Sequence, residues 1–406
     1  MRRLLRLFRH ARSLRSVPLG AVARRAATLL PDYLGDGSSR SLVNITLELT
    51  YRCNVQCEFC FLKDSVLYQK RDELTVAEIA RLADEAADHG ASFFLTGGEP
   101  FLRRDLVEIV AAIKERGLKV GVNTNGLLVN ESVGARIREA GLDYVIFSLH
   151  GPREIHDCLE NRKGSYDKAL ANLTTFARDK GRTRVFANCV VAKRNSAVLG
   201  QVPDLLAHLP LDGLTFQHET FLTPKEVSQH QRVWRKLFPE RELPMVYQSS
   251  GYGDRDFEAM EREIATMQGP EATKRWPFPI FFKPGLEGQK LRDWYTSHMR
   301  VKGRCLYIWT DTRVEPDGLV NACQVMPTPM GNVRETPLDE LLNNEPYREF
   351  RRKNREAGGV FPACARCCKL YRNPINFMAQ TPAWQGWVEK PEPCDRDPAS
   401  SPAPSS

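Results

Sequence analysis

The sequence predicts an α/β fold, a partial (β/α)6 TIM-type barrel followed by a small Cys-rich C-terminal domain. Three observations predict it. Six short apolar segments alternate with helical patterns between residues 42 and 220. Strands that alternate with helices at short, regular intervals pair in parallel. Beyond residue 220 this rhythm is lost, and five cysteines lie between residues 305 and 368.

The elements follow in order from their patterns. In NITLELTY (44–51) apolar and polar residues alternate with period two, which predicts a strand. Thr75 and Glu78 form a capping box at the start of a helix that Gly90 ends. The later strands are predicted at 92–96, 119–124, 144–149, 184–192 and 213–217. The later helices are predicted at 105–117 (capped), 131–141, 165–181 and 197–209. In such folds the chemistry lies at the carboxyl ends of the strands.

The composition is that of a soluble globular protein, with 42% hydrophobic and 27% charged residues among 406. The net charge of +8 arises in residues 1–31, which hold eight arginines and no acid. There Arg alternates with Leu, Phe and Val, as in a cationic helix that contacts an anionic membrane. A helix packed on the body and an organelle transit peptide are alternatives. The neutral remainder, without a recognition motif, argues against nucleic acid.

The eleven cysteines fall mostly into two groups. A secreted disulfide framework is usually small and needs oxidising surroundings, whereas clustered thiols in a long chain indicate metal in a reducing compartment. We therefore expect a cytoplasmic protein, peripheral at the membrane if residues 1–31 bind lipid. Cys158 and Cys189 lie outside both groups and are predicted to be buried small hydrophobic residues.

The first group, Cys53, Cys57 and Cys60, follows the first strand with C-x3-C-x2-C spacing. A cubic iron–sulfur cluster takes four protein ligands, so three thiolates leave one iron open to a small molecule. The alternative is that positions i, i+4 and i+7 form one face of a buried helix. The preceding strand and the polar residues between the cysteines argue against it.

This spacing, with Phe59 before the last cysteine, resembles the signature of radical S-adenosylmethionine (SAM) enzymes. The resemblance implies that the methionine moiety of SAM chelates the open iron of a 4Fe-4S cluster. One electron from the reduced cluster then breaks a C–S bond and gives a 5'-deoxyadenosyl radical, which takes a hydrogen atom from the substrate. The protein orients the substrate and excludes water.

Other family motifs occur at strand ends. TGGEP after the second strand matches the family's GGE motif, in which the glycines permit close approach to the ligand and the glutamate accepts from the methionine ammonium. NTNG, SLHG and a polar position on the fifth strand resemble regions that bind the ribose and carboxylate of SAM. The residues implied, besides Phe59, are Gly97, Gly98, Glu99, Asn125, Ser148 and Asn188. For the last three, hydrogen bonding to local backbone is the alternative.

His150 stands where many relatives have Asp. An imidazole can titrate near neutral pH, so His150 is the one candidate catalytic residue, as a proton acceptor. The alternative is a tolerated variant held by a nearby hydrogen bond.

The second group contains a predicted hairpin. Gly318 lies in PDG, a tight-turn signal between two short strands that bring Cys305 and Cys323 together. Cys364 and Cys367 follow with C-x2-C spacing. The pattern is similar to the twitch form of the SPASM extension of radical SAM enzymes, which implies one auxiliary 4Fe-4S cluster on these four residues. Cys368 is an alternative to Cys367, and zinc is an alternative to the cluster.

Five segments are predicted: a basic amphipathic segment (1–38), the radical SAM partial barrel (39–220), a connecting segment that either covers the site or is structural only (221–300), the auxiliary cluster domain (301–372) and a disordered tail (373–406).

The resemblance implies a radical SAM enzyme whose auxiliary cluster transfers an electron or anchors the substrate. We expect a small-molecule substrate, in natural-product or cofactor biosynthesis, because no separate peptide-recognition domain is visible ahead of the barrel. A peptide-modifying (RiPP maturase) enzyme and a non-catalytic Fe-S or zinc scaffold are the alternatives. The expected partner is an electron donor such as flavodoxin or ferredoxin.

Overall fold

The structure is a computed structural model. It describes residues 29, 31–60, 62, 72–244, 251–253, 255–269, 271–367, 370 and the backbone of 392–393. The basic segment up to residue 28, Cys368, Cys394 and nearly all of the predicted tail lie outside the described residues.

Ten strands form one mixed sheet in the order β11-β10-β9-β1-β2-β3-β4-β5-β6-β7. Neighbouring strands from β1 to β7 pair in parallel, β9 pairs in parallel with β1, and β10 is antiparallel to both β9 and β11. A separate antiparallel pair joins β8 and β12. The strands are β1 (Asn44–Thr50), β2 (Ser92–Gly97), β3 (Val120–Thr124), β4 (Tyr144–Ser148), β5 (Arg184–Val191), β6 (Gly213–His218), β7 (Ile280–Lys283), β8 (Ser297–His298), β9 (Asp311–Val314), β10 (Leu319–Asn321), β11 (Pro329–Asn332) and β12 (Glu392–Pro393).

Helices connect the parallel strands and continue into the C-terminal part. They are α1 (Val76–Ala87), α2 (Leu106–Glu115), α3 (Glu131–Glu139), α4 (Arg153–Leu159), α5 (Ser165–Arg178), α6 (Gln201–Leu206), α7 (Pro224–Leu237), α8 (Phe257–Gln268), α9 (Ala272–Arg275), α10 (Gln289–Thr296), α11 (Tyr307–Thr310), α12 (Leu338–Asn343) and α13 (Glu345–Glu356). Short 3-10 turns lie at Pro100–Leu102 and Pro362–Cys364.

The partial parallel barrel is confirmed, with all six predicted strands in sequence order. The sheet does not close on itself, since β7 and β11 are its two edges among the described residues. Two features extend it beyond the prediction. Strand β7 comes from the segment predicted as a connection, and the predicted hairpin (β9 and β10) joins the barrel sheet through β1.

Local sequence signals explain most element boundaries. The capping box is confirmed: the Glu78 amide donates to Thr75 Oγ1 at 3.2 Å and the Thr75 amide to Glu78 Oε2 at 2.7 Å. Helix α2 makes no side-chain cap bond, because Asp105 binds Arg103 instead, 2.6 Å away. The helix predicted at 197–209 is only six residues long, and Pro203 lies in its first turn, where the missing N–H is not needed.

The sheet has a helix-covered face and a concave face. On β4, Phe147 is buried and packs on Phe176 of α5, with ring centroids 5.8 Å apart. Tyr144, three positions earlier on the same strand, points to the opposite face and stacks on Phe94, with ring centroids 6.4 Å apart. The same concave face ends at half-buried Ser148, so the carboxyl ends of the strands carry polar groups beyond an aromatic layer.

No helix among the described residues is both long and apolar enough to cross a bilayer.

Candidate active site

The three front cysteines lie on a non-helical loop after β1, all half-buried. Two backbone bonds hold this loop on the end of α4: the Gln56 amide donates to the Glu160 carbonyl at 3.1 Å, and the Glu58 amide to the Leu159 carbonyl at 2.8 Å. The alternative of a buried helix face is therefore wrong. Cys53 and Cys57 pack against the small apolar cluster around Val55.

Gly97 and Gly98 bring the end of β2 into contact with the start of the cysteine loop. The Gly98 amide donates to the Thr50 carbonyl at 2.7 Å. A Cβ added at Gly97 would lie 2.3 Å from the Thr50 carbonyl oxygen, and one at Gly98 would lie 2.1 Å from that of Arg52. The backbone that these glycines approach in the structure is that of the loop, so they are required for the loop's position whatever ligand it holds.

Glu99 is buried at the centre of this edge, 1% exposed. Its carboxylate accepts hydrogen bonds from the Phe101 amide (3.0 Å), Thr124 Oγ1 (2.8 Å) and the Asn125 amide (2.8 Å). Burial nevertheless raises its pKa to about 7, with those bonds acting in the opposite direction. A cation beside the carboxylate would stabilise the ionised form.

Asn125 ties the third strand to the cysteine loop. Its Nδ2 donates to Asn54 Oδ1 at 2.7 Å, and its Oδ1 accepts from the Leu127 amide at 3.1 Å. Both ends of the side-chain amide therefore have protein partners, which favours the local role that the sequence left open.

Ser148 and Asn188 lie directly opposite each other in the parallel register of β4 and β5, and Thr215 of β6 continues the row. Side chains opposite each other in a sheet point to the same face. All three are half-buried, and within the described residues their side chains make no hydrogen bond. This row is therefore available to a ligand on the concave face.

Phe59 and His150 pack together beside the cysteine loop, edge to face, with ring centroids 4.8 Å apart. His150 is buried, and its Nδ1 accepts from the Val190 amide at 3.2 Å. Burial, with a further contribution from His156, lowers the pKa of His150 well below its usual range. Together with the bond to the β5 backbone, this favours the alternative that the sequence left open for His150, a variant held by a nearby hydrogen bond.

The second group of cysteines is buried in the main core. The predicted hairpin turn at Gly318 is present, with φ +87°. Burial raises the pKa of Cys305 to about 12 and that of Cys364 well above its usual range, and the thiols of Cys305 and Cys323 add to the effect on Cys364. Three of the four predicted ligands thus lie within electrostatic reach of one another.

The fourth, Cys367, is also buried, and its amide donates to the Cys364 carbonyl at 3.1 Å. Of the two cysteines outside both groups, Cys189 is buried as predicted, whereas Cys158 is exposed on α4 and that prediction is wrong. No three His, Cys, Asp or Glu side chains within the described part of the chain are arranged to hold a single metal ion.

Sequence reasoning missed three residues around the site. Glu160 is buried next to the cysteine loop, and Arg313 pairs with Glu48 beneath it. Glu48 was visible as a charged residue in a strand whose burial turned out to be nearly complete, whereas β9 reads DTRV and gave no signal that Arg313 would be buried. Nothing in the sequence indicated that Glu160 would be buried.

Comparison with known proteins agrees with this geometry. Residues 47–195 match the model of the Radical SAM superfamily, and residues 305–368 match the SPASM model, an iron–sulfur cluster-binding domain. The Fe-coproporphyrin III synthase of Methanosarcina barkeri is 31% identical over 195 residues, which is 48% of either chain. The match thus spans about half the length of that relative.

Two further similarities cover more of the chain. The AdoMet-dependent heme synthase of Methanosarcina barkeri is 27% identical over 357 residues, 83% of this chain and 95% of its own. The crystal structure of Streptococcus suis SuiB bound to S-adenosylmethionine superposes with a TM-score of 0.58 at 16% identity, covering 85% of this chain and 76% of SuiB. This last likeness concerns the fold.

The residues present fit the groups that these domains imply. A 4Fe-4S cluster is bound by thiolates, and both sites offer thiols as donors. Burial raises the pKa of Cys53 to about 11 and that of Cys57 well above its usual range, so metal coordination is what would hold them as thiolates at neutral pH. A fourth cysteine is absent from the described part of the front loop, as an open iron requires.

Proposed function

Since this chain belongs to the radical SAM superfamily and carries a C-terminal iron–sulfur cluster-binding domain, we propose that it reductively cleaves SAM and abstracts a hydrogen atom from a small-molecule substrate. The supporting observation is that the cysteine loop, Glu99 and the Ser148–Asn188 row meet at one edge of the sheet. When bound, the cluster supplies the electron that breaks the sulfonium bond.

The chain's own residues orient the cofactor. Cys53, Cys57 and Cys60 would hold the first cluster and leave one iron open. Glu99 accepts a hydrogen bond from the methionine ammonium. The positive charge of that group stabilises the negative charge of the buried carboxylate. Ser148 and Asn188 supply hydrogen bonds to the ribose and carboxylate.

We propose that an auxiliary 4Fe-4S cluster would be held by Cys305, Cys323, Cys364 and Cys367. It would supply either an electron acceptor or an anchoring point for the substrate. Burial of these four cysteines supports this role, because a dry site separates the cluster from water and oxygen. An iron count decides between this cluster and zinc.

For the substrate we propose a small molecule of cofactor biosynthesis. The relative matched over 95% of its length is named a heme synthase. The likeness to SuiB, which has also been crystallised with its precursor peptide, is 14% in sequence and bears on the fold. We further propose a flavodoxin- or ferredoxin-type electron donor, and contact of residues 1–31 with an anionic membrane.

Iron analysis after anaerobic purification tests the two cluster sites. We expect about eight irons per chain for two cubanes. Replacement of Cys53, Cys57 and Cys60 by Ala should leave about four and abolish formation of 5'-deoxyadenosine from SAM and dithionite. The matched control is Cys189→Ala, a buried cysteine outside both groups. Unchanged turnover in the triple variant would refute the proposal.

The substrate class is tested separately with the loaded protein. Fe-coproporphyrin III, the compound named in one relative, is the first probe. We expect it to change its visible absorption on binding and to increase SAM cleavage. If it does neither while SAM is still cleaved, the cofactor-biosynthesis assignment fails and the radical chemistry stands.

A further inference from the structure

Four aromatic rings on the concave face of the sheet lie outside the main hydrophobic core. They belong to Phe94 of β2, Tyr144 of β4, Phe186 of β5 and Phe281 of β7. The Tyr144 ring stacks on Phe94 and meets Phe186 edge to face, in both cases with ring centroids 6.4 Å apart. On the same strands, Phe93 and Phe147 face the helices and are at most 1% exposed, whereas the four concave rings are half-buried or exposed. The concave face therefore presents an aromatic surface that the described part of the chain does not cover.

Gly213 of β6 lies between two of these rings. A Cβ added at Gly213 would lie 3.3 Å from Phe186 Cδ1, on β5, and 3.3 Å from Phe281 Cε2, on β7. Phe281 is 39% exposed and belongs to an edge strand of the described sheet. Its neighbours Ile280 and Phe282 pack against the main core instead. The two rings thus flank a position over the β6 backbone that is open at the edge of the sheet.

Two polar side chains follow Gly213 on the same face of β6. Thr215 and Gln217 are the next concave positions, because alternate residues of a strand share a face. Both are half-buried, and neither side chain makes a hydrogen bond within the described residues. A ligand over Gly213 would therefore contact aromatic rings at one end and hydrogen-bonding groups at the other.

This position adjoins the residues that we propose to bind SAM. Ser148, Asn188, Thr215 and Phe281 are successive partners in the parallel register from β4 to β7. Since neighbouring strands are about 4.8 Å apart, Phe281 lies about 10 Å from Asn188. A radical formed beside Asn188 can react only with a group that it touches. The substrate therefore has to occupy a part of the concave face next to this row.

Towards the other end of the sheet the concave face is closed. Thr46 and Glu48 of β1 and Arg313 of β9 occupy concave positions in register, and each is at most 5% exposed. Side chains buried to this degree offer no surface to a ligand. The open surface beside the SAM row is consequently the one on β5, β6 and β7.

We propose that Phe186, Gly213 and Phe281 form an aromatic subsite that binds the ring portion of the substrate, and that the substrate is a planar, largely apolar ring system with polar groups along its edge. The inference rests on the proposed function, because it requires SAM at Ser148 and Asn188. Aromatic side chains bind flat apolar rings by stacking and by edge-to-face contact. Thr215 and Gln217 supply hydrogen bonds to the polar edge.

The experiment measures the dissociation constant of Fe-coproporphyrin III, a planar macrocycle with peripheral carboxylates, by calorimetry on the anaerobic, iron-loaded protein with SAM. Phe281→Ala removes one ring at an exposed position and should raise this constant about tenfold. Phe281→Tyr keeps the ring and should keep the affinity. Iron content and SAM cleavage by dithionite should be those of the parent in both variants, because Phe281 touches neither cysteine group.

The matched control is Leu34→Ala. Leu34 is also an exposed apolar residue, 68% exposed, but it lies before β1 and outside the sheet. Its replacement should leave the dissociation constant unchanged. An equal loss of affinity in Leu34→Ala would show that the macrocycle binds apolar surface without selectivity, and it would overturn the inference.

A second probe does not depend on the identity of the substrate. The flat apolar dye 8-anilinonaphthalene-1-sulfonate should become fluorescent with the parent protein, and Phe281→Ala should weaken its binding. If the dye binds in this way and Fe-coproporphyrin III does not bind, the subsite stands and the cofactor-biosynthesis assignment fails.

Two further outcomes count against the subsite. Affinities for both probes that are unchanged in Phe281→Ala would overturn it. If the parent binds neither probe while it still cleaves SAM, the chain itself or a second copy covers the rings, and the inference is overturned while the radical chemistry stands. A parent protein that holds no iron at the front loop would instead refute the proposed function on which the inference rests.

Discussion

Arg313 of β9 donates to Glu48 of β1 across the parallel pairing, with Nη2 and Oε2 2.5 Å apart and both side chains buried. The same Glu48 oxygen accepts from Tyr51 Oη at 2.8 Å, and Arg313 Nη1 donates to the Gln324 carbonyl at 3.4 Å. Tyr51 lies two positions before the first front cysteine, and Gln324 directly follows Cys323. A hydrogen-bonded chain therefore joins the two cysteine-bearing segments.

Removal of one partner of this pair should destabilise the protein strongly. Arg313→Met leaves an uncompensated carboxylate in the core, which costs about 3–5 kcal/mol. Urea unfolding of the metal-free protein measures the change. The double replacement Glu48→Met and Arg313→Met should recover most of it, with about 1 kcal/mol still missing because Tyr51 Oη loses its acceptor. Additive costs of the two single variants would show that the side chains do not interact.

Gly97 should not accept a side chain. Gly97→Ala places a Cβ 2.3 Å from the Thr50 carbonyl oxygen at φ +128°, so either β2 or the cysteine loop must shift. We expect reduced iron content at the front site and a lower free energy of unfolding. Gly253→Ala is the control, because its φ of +133° imposes the same backbone strain with nothing within 4 Å. Equal losses in both variants would mean that strain, not the contact, is responsible.

Periodicity in the sequence predicted the parallel strands because each strand of the barrel has its own local pattern. Strand β7 was not predicted from periodicity, because its sequence, IFFK, lies between two prolines and shows no alternation of apolar and polar residues. Its strand character comes from pairing with β6, a contact between distant segments. The hairpin was predicted from its turn, but its attachment to β1 was not, because parallel register leaves no local signal.

At the site, spacing identified the cysteines but not the state of their neighbours. The family motif indicated Glu99, while its raised pKa follows from burial that only the fold creates. At His150 the shift has the opposite direction. A histidine is expected to titrate near neutral pH, but burial lowers the pKa of His150 well below that range. Glu160 gave no signal, since an acidic residue after a helix is usually solvated.

The burial of Glu99 predicts a pH dependence of stability in the cofactor-free protein. Below pH 4.5, its ordinary pKa, the group is protonated in both states. Between that value and about 7 the unfolded chain ionises while the folded chain keeps the proton, so stability falls as pH rises, by about 3 kcal/mol in total. The free energy of unfolding measured from pH 4.5 to 8 tests this.

Glu99→Gln should flatten that slope, although it also lowers the overall stability because the amide cannot accept all three hydrogen bonds. Glu58→Gln, at an exposed position, should leave the slope unchanged. If the slope survives in Glu99→Gln, another buried group is responsible.

Alanine replacements at Ser148, Asn188 and Asn125 should distinguish side chains that bind the ligand from a side chain that stabilises the fold. Ser148→Ala and Asn188→Ala remove side chains that make no hydrogen bond within the described structure, so each should change the free energy of unfolding by less than about 1 kcal/mol. If Ser148 and Asn188 bind SAM, each replacement should raise the dissociation constant of SAM about tenfold, the equivalent of one hydrogen bond. Asn125→Ala should instead cost about 1–3 kcal/mol, because the bonds to Asn54 and Leu127 are lost. Calorimetry with SAM gives the dissociation constant, and unfolding of the same samples gives the stability. If the affinity for SAM is unchanged in both Ser148→Ala and Asn188→Ala, the cofactor binds at another part of the concave face.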